Sequence, residues 1–377
     1  ERQKFDKASE ELREDFTAAE RLMALNSPFM NFTIYVLFVF ILYFGSYLIV
    51  SSQGTAFGVG QLSSLITYGF MMLMSLMMLS FVFAMIIIAE EGARRICEVL
   101  LATSTINNPE NPLTEVTDGS IDFENVGFSY SGPEGREALS DVDLHINSGE
   151  VIGIIGGTGS AKSTLVQLIP RLYDVTAGSV SVGGHDVRDY DIDTLRGAVA
   201  MVLQKNVLFS GTIKENLLWG NPDATDEEIL ETARLAQADS FVQTFPDKYE
   251  THIEQGGNNV SGGQKQRLCI ARALLRRPKV LILDDSTSAV DTKTDSLIRS
   301  GLKDFLPDTT KIIIAQRTSS IEESDKIIVL DNGRVNAIGT HEELLKDNPI
   351  YREVYFSQNK QSVDENQSQE GEVTSHE

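Results

Sequence analysis

Between Phe29 and Ala89 the chain carries no Asp, Glu, Lys or Arg. Such a run exceeds the ~20 apolar residues that a helix needs to cross a bilayer once. It suits two crossings, because Ser51-Ser52-Gln53-Gly54-Thr55 and Gly58-Val59-Gly60 interrupt it with turn-forming residues. The spans fall near residues 29–50 and 61–89. A buried core hairpin of a soluble protein is the competing reading, but amphipathic soluble helices keep a polar stripe. Val36-Leu37-Phe38-Val39-Phe40-Ile41-Leu42 has none. Arg2, Lys4, Lys7, Arg13 and Arg21 precede the first span, Arg94 and Arg95 follow the second, and the connection is uncharged. The positive-inside rule then puts both ends in the cytoplasm, which makes this a multi-pass segment of a cell membrane.

The rest of the chain is organised differently. Residues 1–27 have helix-forming composition, Pro28 stands at the start of the first span, and Glu90 to Ala102 continue the second helix into the cytosol, so 1–102 reads as all-α. Residues 103–118, rich in Asn, Pro and Thr, read as a linker. A second domain covers 119–356. It opens with period-two strands over 121–126 and 142–146; later come the wholly apolar runs Val151–Ile155, Val280–Leu283 and Lys311–Ala315, separated by helical stretches. Strands apolar on both faces belong to a parallel sheet covered by helices. Residues 357–377 are Gln-, Ser- and Glu-rich and read as a disordered acidic tail. The net charge of −22 argues against nucleic acid as a partner, since a phosphate backbone demands a basic patch. Cys97 and Cys269 are too few for a disulfide framework or a zinc site and read as small apolar fillers on helices. The chain begins at Glu1 inside a helical pattern and is expected to start part-way through a longer protein.

The chemistry is carried by Gly156-Gly157-Thr158-Gly159-Ser160-Ala161-Lys162-Ser163-Thr164, which follows a buried strand and opens a helix. Backbone N–H groups in such a loop cradle phosphate oxygens. Lys162 reaches the terminal phosphates and the Ser163 hydroxyl takes Mg²⁺. Ala161 stands where the pattern expects Gly; if φ is positive there, the methyl costs of order 1 kcal/mol or more. Downstream, Val280-Leu281-Ile282-Leu283-Asp284-Asp285 is an apolar strand that ends in two carboxylates, with Asp284 placed to hold Mg²⁺.

Between these elements lies Asn259-Val260-Ser261-Gly262-Gly263-Gln264-Lys265-Gln266-Arg267. With it the chain resembles ATP-binding-cassette proteins of the exporter type across roughly 119–356. Tyr130, Gln204 and Ser288-Ala289-Val290-Asp291 follow the family's order. The upstream part resembles the last two of six membrane helices. The resemblance implies an α/β nucleotide-binding domain, with a phosphate-loop core, an antiparallel β subdomain and a helical subdomain, fused to an all-α transmembrane segment. It implies two such domains facing head to tail, each ATP lying between one phosphate loop and the other domain's signature. Tyr130 would then stack on adenine and Gln204 would touch Mg²⁺. Ser261 and Gly263, within Ser261-Gly262-Gly263-Gln264, would hold the γ-phosphate of the opposite ATP.

Two positions depart from the family pattern. Asp285 stands where the family has a Glu general base, and Gln316 where it has a switch His. Asp is one methylene short, and an amide cannot shuttle a proton as imidazole does. The combination is similar to the degenerate subunit of heterodimeric bacterial multidrug exporters, which implies a non-identical partner with a competent centre and a hydrophobic cargo. Met71, Met72, Met74, Met77 and Met78 beside Phe70, Phe81 and Phe83 suit a greasy cavity, although ordinary lipid-facing or helix-packing residues are the favoured explanation of them. A slow homodimeric lipid or peptide exporter and a non-transporting ATP-binding regulator are the alternatives.

Overall fold

The computed structural model of the chain describes residues 2–53, 55, 57–133, 135–285 and 291–358. These divide into two compact units, with the boundary between Thr103 and Ser104.

The first unit is a pair of long helices, Arg2–Ser51 and Val59–Leu100. Pro28 lies inside the first, and the stretch long and apolar enough to span a bilayer begins there, Pro28–Ser51; the second span candidate is Val59–Leu100. The first helix ends where Ser52 turns its hydroxyl back onto the Leu48 carbonyl (2.6 Å) and Gln53 takes a positive φ of 46°. The second starts where the Gly58 N–H donates to the Gln61 side chain (2.8 Å). The helices approach closely at small residues. A Cβ on Gly45 would sit 2.3 Å from Leu62, and one on Gly69 would touch Ile41 at 3.6 Å. Phe38 and Phe70 pack with centroids 4.5 Å apart. Close backbone approach at glycines is how helices associate when hydrocarbon offers no hydrophobic driving force. Most of the large apolar side chains here, Phe40, Tyr43, Met72 and Ile88 among them, are exposed. Cys97 is also exposed, so the filler role expected for it fails within this unit, whereas Cys269 is buried.

In the second unit a six-stranded sheet runs in the order Arg334–Gly339, Lys326–Asp331, Val151–Gly156, Thr310–Ile314, Val280–Asp284, Val199–Val202. All its neighbours are parallel except the first pair. The wholly apolar runs of the sequence are its central strands, with every residue of Val280–Asp284 and Thr310–Ile314 buried. A four-stranded antiparallel sheet, Leu139–Ile146, Ile121–Phe128, Ala177–Val182 and His185–Asp186, packs a second core against it. The helical part comprises Ile213–Leu218, Asp226–Leu235, Asp239–Val242 and Gly262–Leu275. Three of these helices start with the same device: Thr212/Glu215, Thr225/Glu228 and Ser261/Gln264 form reciprocal capping boxes that satisfy otherwise orphaned N–H groups.

The segment read as a linker, 103–118, is fastened to this unit from Asn108 onward. Asn108 donates to Asp191 (2.6 Å) and accepts from the Ile192 N–H (2.9 Å). Leu113 exchanges backbone bonds with Asp189 and Asp191, and Val116 is buried in the core. Asn and Pro made it look like a tether; its side-chain amide instead satisfies a helix start. Of the tail, residues 359–377 lie outside the described residues, while 349–358 are helical.

Candidate functional site

The phosphate loop connects the Val151–Gly156 strand to the Lys162–Leu168 helix. Its geometry depends on residues without bulk at two points. A Cβ on Gly156 would lie 2.2 Å from the Leu330 carbonyl, and Gly159 adopts φ +82°. Gly157, Thr158 and Gly159 are exposed and Ser160 is buried under them. Lys162 folds its ammonium over the loop, onto the carbonyls of Gly156 (2.8 Å) and Gly157 (2.9 Å). Burial lowers its pKa, and the carboxylates of Asp284 and Asp285 pull the other way. Ser163 is exposed at the helix start, and Thr164 is buried. Ala161 has φ 71° and ψ 26°, so the methyl sits in the left-handed region that favours glycine.

Tyr130 stands 56% exposed, and its hydroxyl lies 3.0 Å from Thr164 Oγ1. Edge contacts with Phe128 (4.8 Å) and Tyr173 (5.2 Å) hold its ring beside the loop. Sequence reasoning did not single out Tyr173, which has no motif around it.

Strand order brings together the remaining groups. Val199–Val202, Val280–Asp284 and Thr310–Ile314 are adjacent and parallel, so the residues just past their carboxyl ends meet on one rim. Open α/β sheets bind ligands at that rim. Gln204, Asp285 and Gln316 occupy it. Asp285 Oδ2 accepts from Gln204 Nε2 at 3.0 Å and from Gln316 Nε2 at 2.6 Å. The residue itself has φ 47°, a left-handed conformation, and its N–H donates to the Ile314 carbonyl. Burial raises the Asp285 pKa, with neighbouring Asp284 adding to the rise; the two amides and Lys162 oppose it. Asp284 ends its strand buried beside them.

The donor set suits a magnesium nucleotide. An exposed Ser163 hydroxyl at the helix start, a buried carboxylate at Asp284 and the amide of Gln204 are oxygen ligands of the kind a hard cation takes together with phosphate oxygens.

The signature turn stands apart. Ser261 caps the Gly262–Leu275 helix: its Oγ accepts from Gln264 N–H (3.3 Å), and its N–H donates to Gln264 Oε1 (2.9 Å). Lys265 reaches the Gly256 carbonyl and Arg267 the Gln237 carbonyl. Among the described residues, no side-chain hydrogen bond joins Ser261, Gly262, Gly263 or Gln264 to the phosphate loop. Ser286-Thr287-Ser288 and Ala289-Val290 lie outside the described residues. Asp291 caps the Thr292–Phe305 helix through the Thr294 N–H.

Fold and rim together define a nucleotide-binding domain of the ATP-binding-cassette class. Residues 139–288 match the family model described as ABC transporter. The chain is 41% identical over 363 residues to an uncharacterised ABC transporter ATP-binding protein of Mycobacterium tuberculosis, covering 95% of this chain and 61% of that one. It is 37% identical over 352 residues to the uncharacterised ABC transporter ATP-binding protein YknU of Bacillus subtilis, covering 93% of this chain and 60% of that one. A Staphylococcus aureus protein provisionally named as a multidrug export ATP-binding/permease protein is 44% identical over 245 residues, 65% of this chain and 42% of that one. Among solved structures, a bacterial Atm1-family ABC exporter with ATP bound matches with a TM-score of 0.74 and 32% identity, over 87% of this chain and 57% of that one. Over residues 139–288 the chain carries the nucleotide-binding domain of an ABC transporter, joined in sequence to apolar helices, and it is similar to ABC transporter ATP-binding proteins along nearly its whole length. It spans about three fifths of the length of the mycobacterial and Bacillus relatives.

Proposed function

We propose that this chain works in an ATP-driven membrane exporter of hydrophobic compounds, holding Mg-ATP at its own slow site. In this reading Ser261-Gly262-Gly263-Gln264 complete a faster site on a non-identical partner subunit. The observation that carries it is the state of Asp285. Its carboxylate is one methylene shorter than the family's Glu, and Oδ2 is taken by two amide donors. A general base must direct a lone pair at the attacking water, and Gln316 offers no group that can carry a proton in its place.

The other residues keep binding functions. Lys162 exchanges the loop carbonyls for phosphate oxygens, a stronger charge-assisted contact. Backbone N–H groups of 157–163 surround the same oxygens, and Tyr130 and Tyr173 offer aromatic surface to the base. Ser163, Asp284 and Gln204 would hold Mg²⁺, which supplies charge neutralisation at the β- and γ-phosphates. Ser261 sits at the start of a 14-residue helix, where the dipole and free N–H groups favour an anion presented by a second subunit. The exposed Met and Phe side chains of the two spans and the name of the staphylococcal relative support a hydrophobic cargo.

The test is to purify the full chain in detergent and measure Mg-ATP binding and phosphate release together. Saturable binding with very slow turnover is expected, and robust steady-state hydrolysis would contradict the slow-site reading.

A further inference from the structure

The backbone that carries Gln316 is itself held from 40 residues away. Gln358, on the helix 349–358, applies its whole side-chain amide to residues 316–318. Its Oε1 accepts from the Thr318 N–H at 2.9 Å and the Thr318 hydroxyl at 3.2 Å. Its Nε2 donates to the Gln316 carbonyl at 2.7 Å. Gln316 then places its own amide 2.6 Å from Asp285.

We propose that Gln358 is a positioning residue of the nucleotide site, through which the C-terminal helix sets where Gln316 stands against Asp285. Thr318 begins a short 3₁₀ turn, Thr318–Ser320, whose first N–H groups need acceptors. Capping that turn requires only the Oε1 half of the contact. The Nε2 half pins the carbonyl of the switch residue itself, which capping does not call for. The following residues are held by a different element. Arg299, paired with Asp295 at 3.1 Å, donates to the Ser319 carbonyl (3.3 Å) and the Ser320 carbonyl (2.9 Å). That pair is largely buried and belongs to the Thr292–Phe305 helix. The segment between the Thr310–Ile314 strand and Ile321 therefore has two brackets, and the one nearer the site comes from the C-terminal helix.

The inference rests on the reading that ATP binds here with its γ-phosphate facing Gln316. If so, loosening 316–318 should weaken ATP more than ADP, because only ATP reaches that residue. The experiment compares Mg-ATP and Mg-ADP equilibrium binding to the purified full chain. The variants are Gln358→Ala, Gln358→Glu, Gln316→Ala and the double variant Gln358→Ala/Gln316→Ala. Loss of one or two amide hydrogen bonds sets the scale: the ATP-over-ADP preference is expected to fall about three- to tenfold in Gln358→Ala. Gln358→Glu keeps the acceptor for Thr318 and so the cap, but sets a carboxylate oxygen against the Gln316 carbonyl; the same loss is expected without loss of folding. The double variant should be no worse than Gln316→Ala alone. Equal loss of ATP and ADP binding, a normal preference in Gln358→Glu, or additive losses in the double variant would each overturn the proposal and leave the functional reading standing. Failure of the unmodified chain to bind Mg-ATP would overturn both.

Discussion

Restoring the family's acid–base pair tests the proposal that this chain's own site is slow. Asp285→Glu adds one carbon–carbon bond of reach, about 1.5 Å. A misplacement of ~1 Å can cost ~10²-fold in rate, and a general base is worth ~10²–10⁴-fold. Reach alone is not the whole deficit, since Gln204 and Gln316 both donate to the Asp285 carboxylate and hold it on the rim. With Gln316 still present, Asp285→Glu should raise turnover by no more than about tenfold over the parent. Adding Gln316→His removes the shorter of the two amide contacts and supplies a group that carries a proton. The double variant is expected to gain ~10²-fold. The assay needs no partner subunit, because a homodimer of the variant would present an unaltered Ser261-Gly262-Gly263-Gln264 to each restored site. Phosphate release is measured at saturating Mg-ATP, with binding measured in parallel so that affinity and chemistry are separated. A double variant that binds Mg-ATP and turns over no faster than the parent would refute the reasoning. So would a full gain from Asp285→Glu alone, which would show that Gln316 imposes no constraint.

Ala161→Gly should stabilise the nucleotide-binding unit. At φ 71° a methyl costs ~1–2 kcal/mol relative to glycine, and losing its half-buried surface returns ~0.4 kcal/mol. Allowing for the looser unfolded chain, the net is about 0.5–1 kcal/mol, a rise of ~1–3 °C by calorimetry, and a fall in Tm would contradict it. Ser261→Ala or Gly263→Asp should suppress hydrolysis by the complete exporter while leaving ATP binding to this chain unchanged. Unaltered turnover after either change would contradict the division of labour between the two sites.

What could be read from the sequence was local or periodic. The phosphate loop announced itself through a buried strand, a glycine-rich turn and a helix in succession, and the central strands through apolar runs with no polar face. The sign of φ at Ala161 was not legible, because a left-handed and a right-handed residue have the same letter. The meeting of Gln204, Asp285 and Gln316 was legible only as three separate motif positions. It is the adjacency of three parallel strands, far apart in sequence, that turns them into one hydrogen-bonded group. Asn108 and Gln358 were illegible for a related reason. Each is a lone amide whose partners lie 83 and 84 residues away for Asn108, and 40 and 42 for Gln358, with no periodicity to mark them.

The central claim is that the two ATP sites of the assembled exporter are unequal, and paired lysine substitutions test it most directly. Lys162→Ala removes the ammonium that now rests on Gly156 and Gly157 and would turn to the phosphates. In the complete exporter at saturating Mg-ATP, a mild loss of turnover is expected, because under the proposed division this site hydrolyses little and its ATP chiefly holds the domains together. The matching lysine of the partner would act where charge develops during phosphoryl transfer, and its loss should nearly abolish turnover. Equal losses from the two substitutions would mean two equivalent sites and would contradict the account.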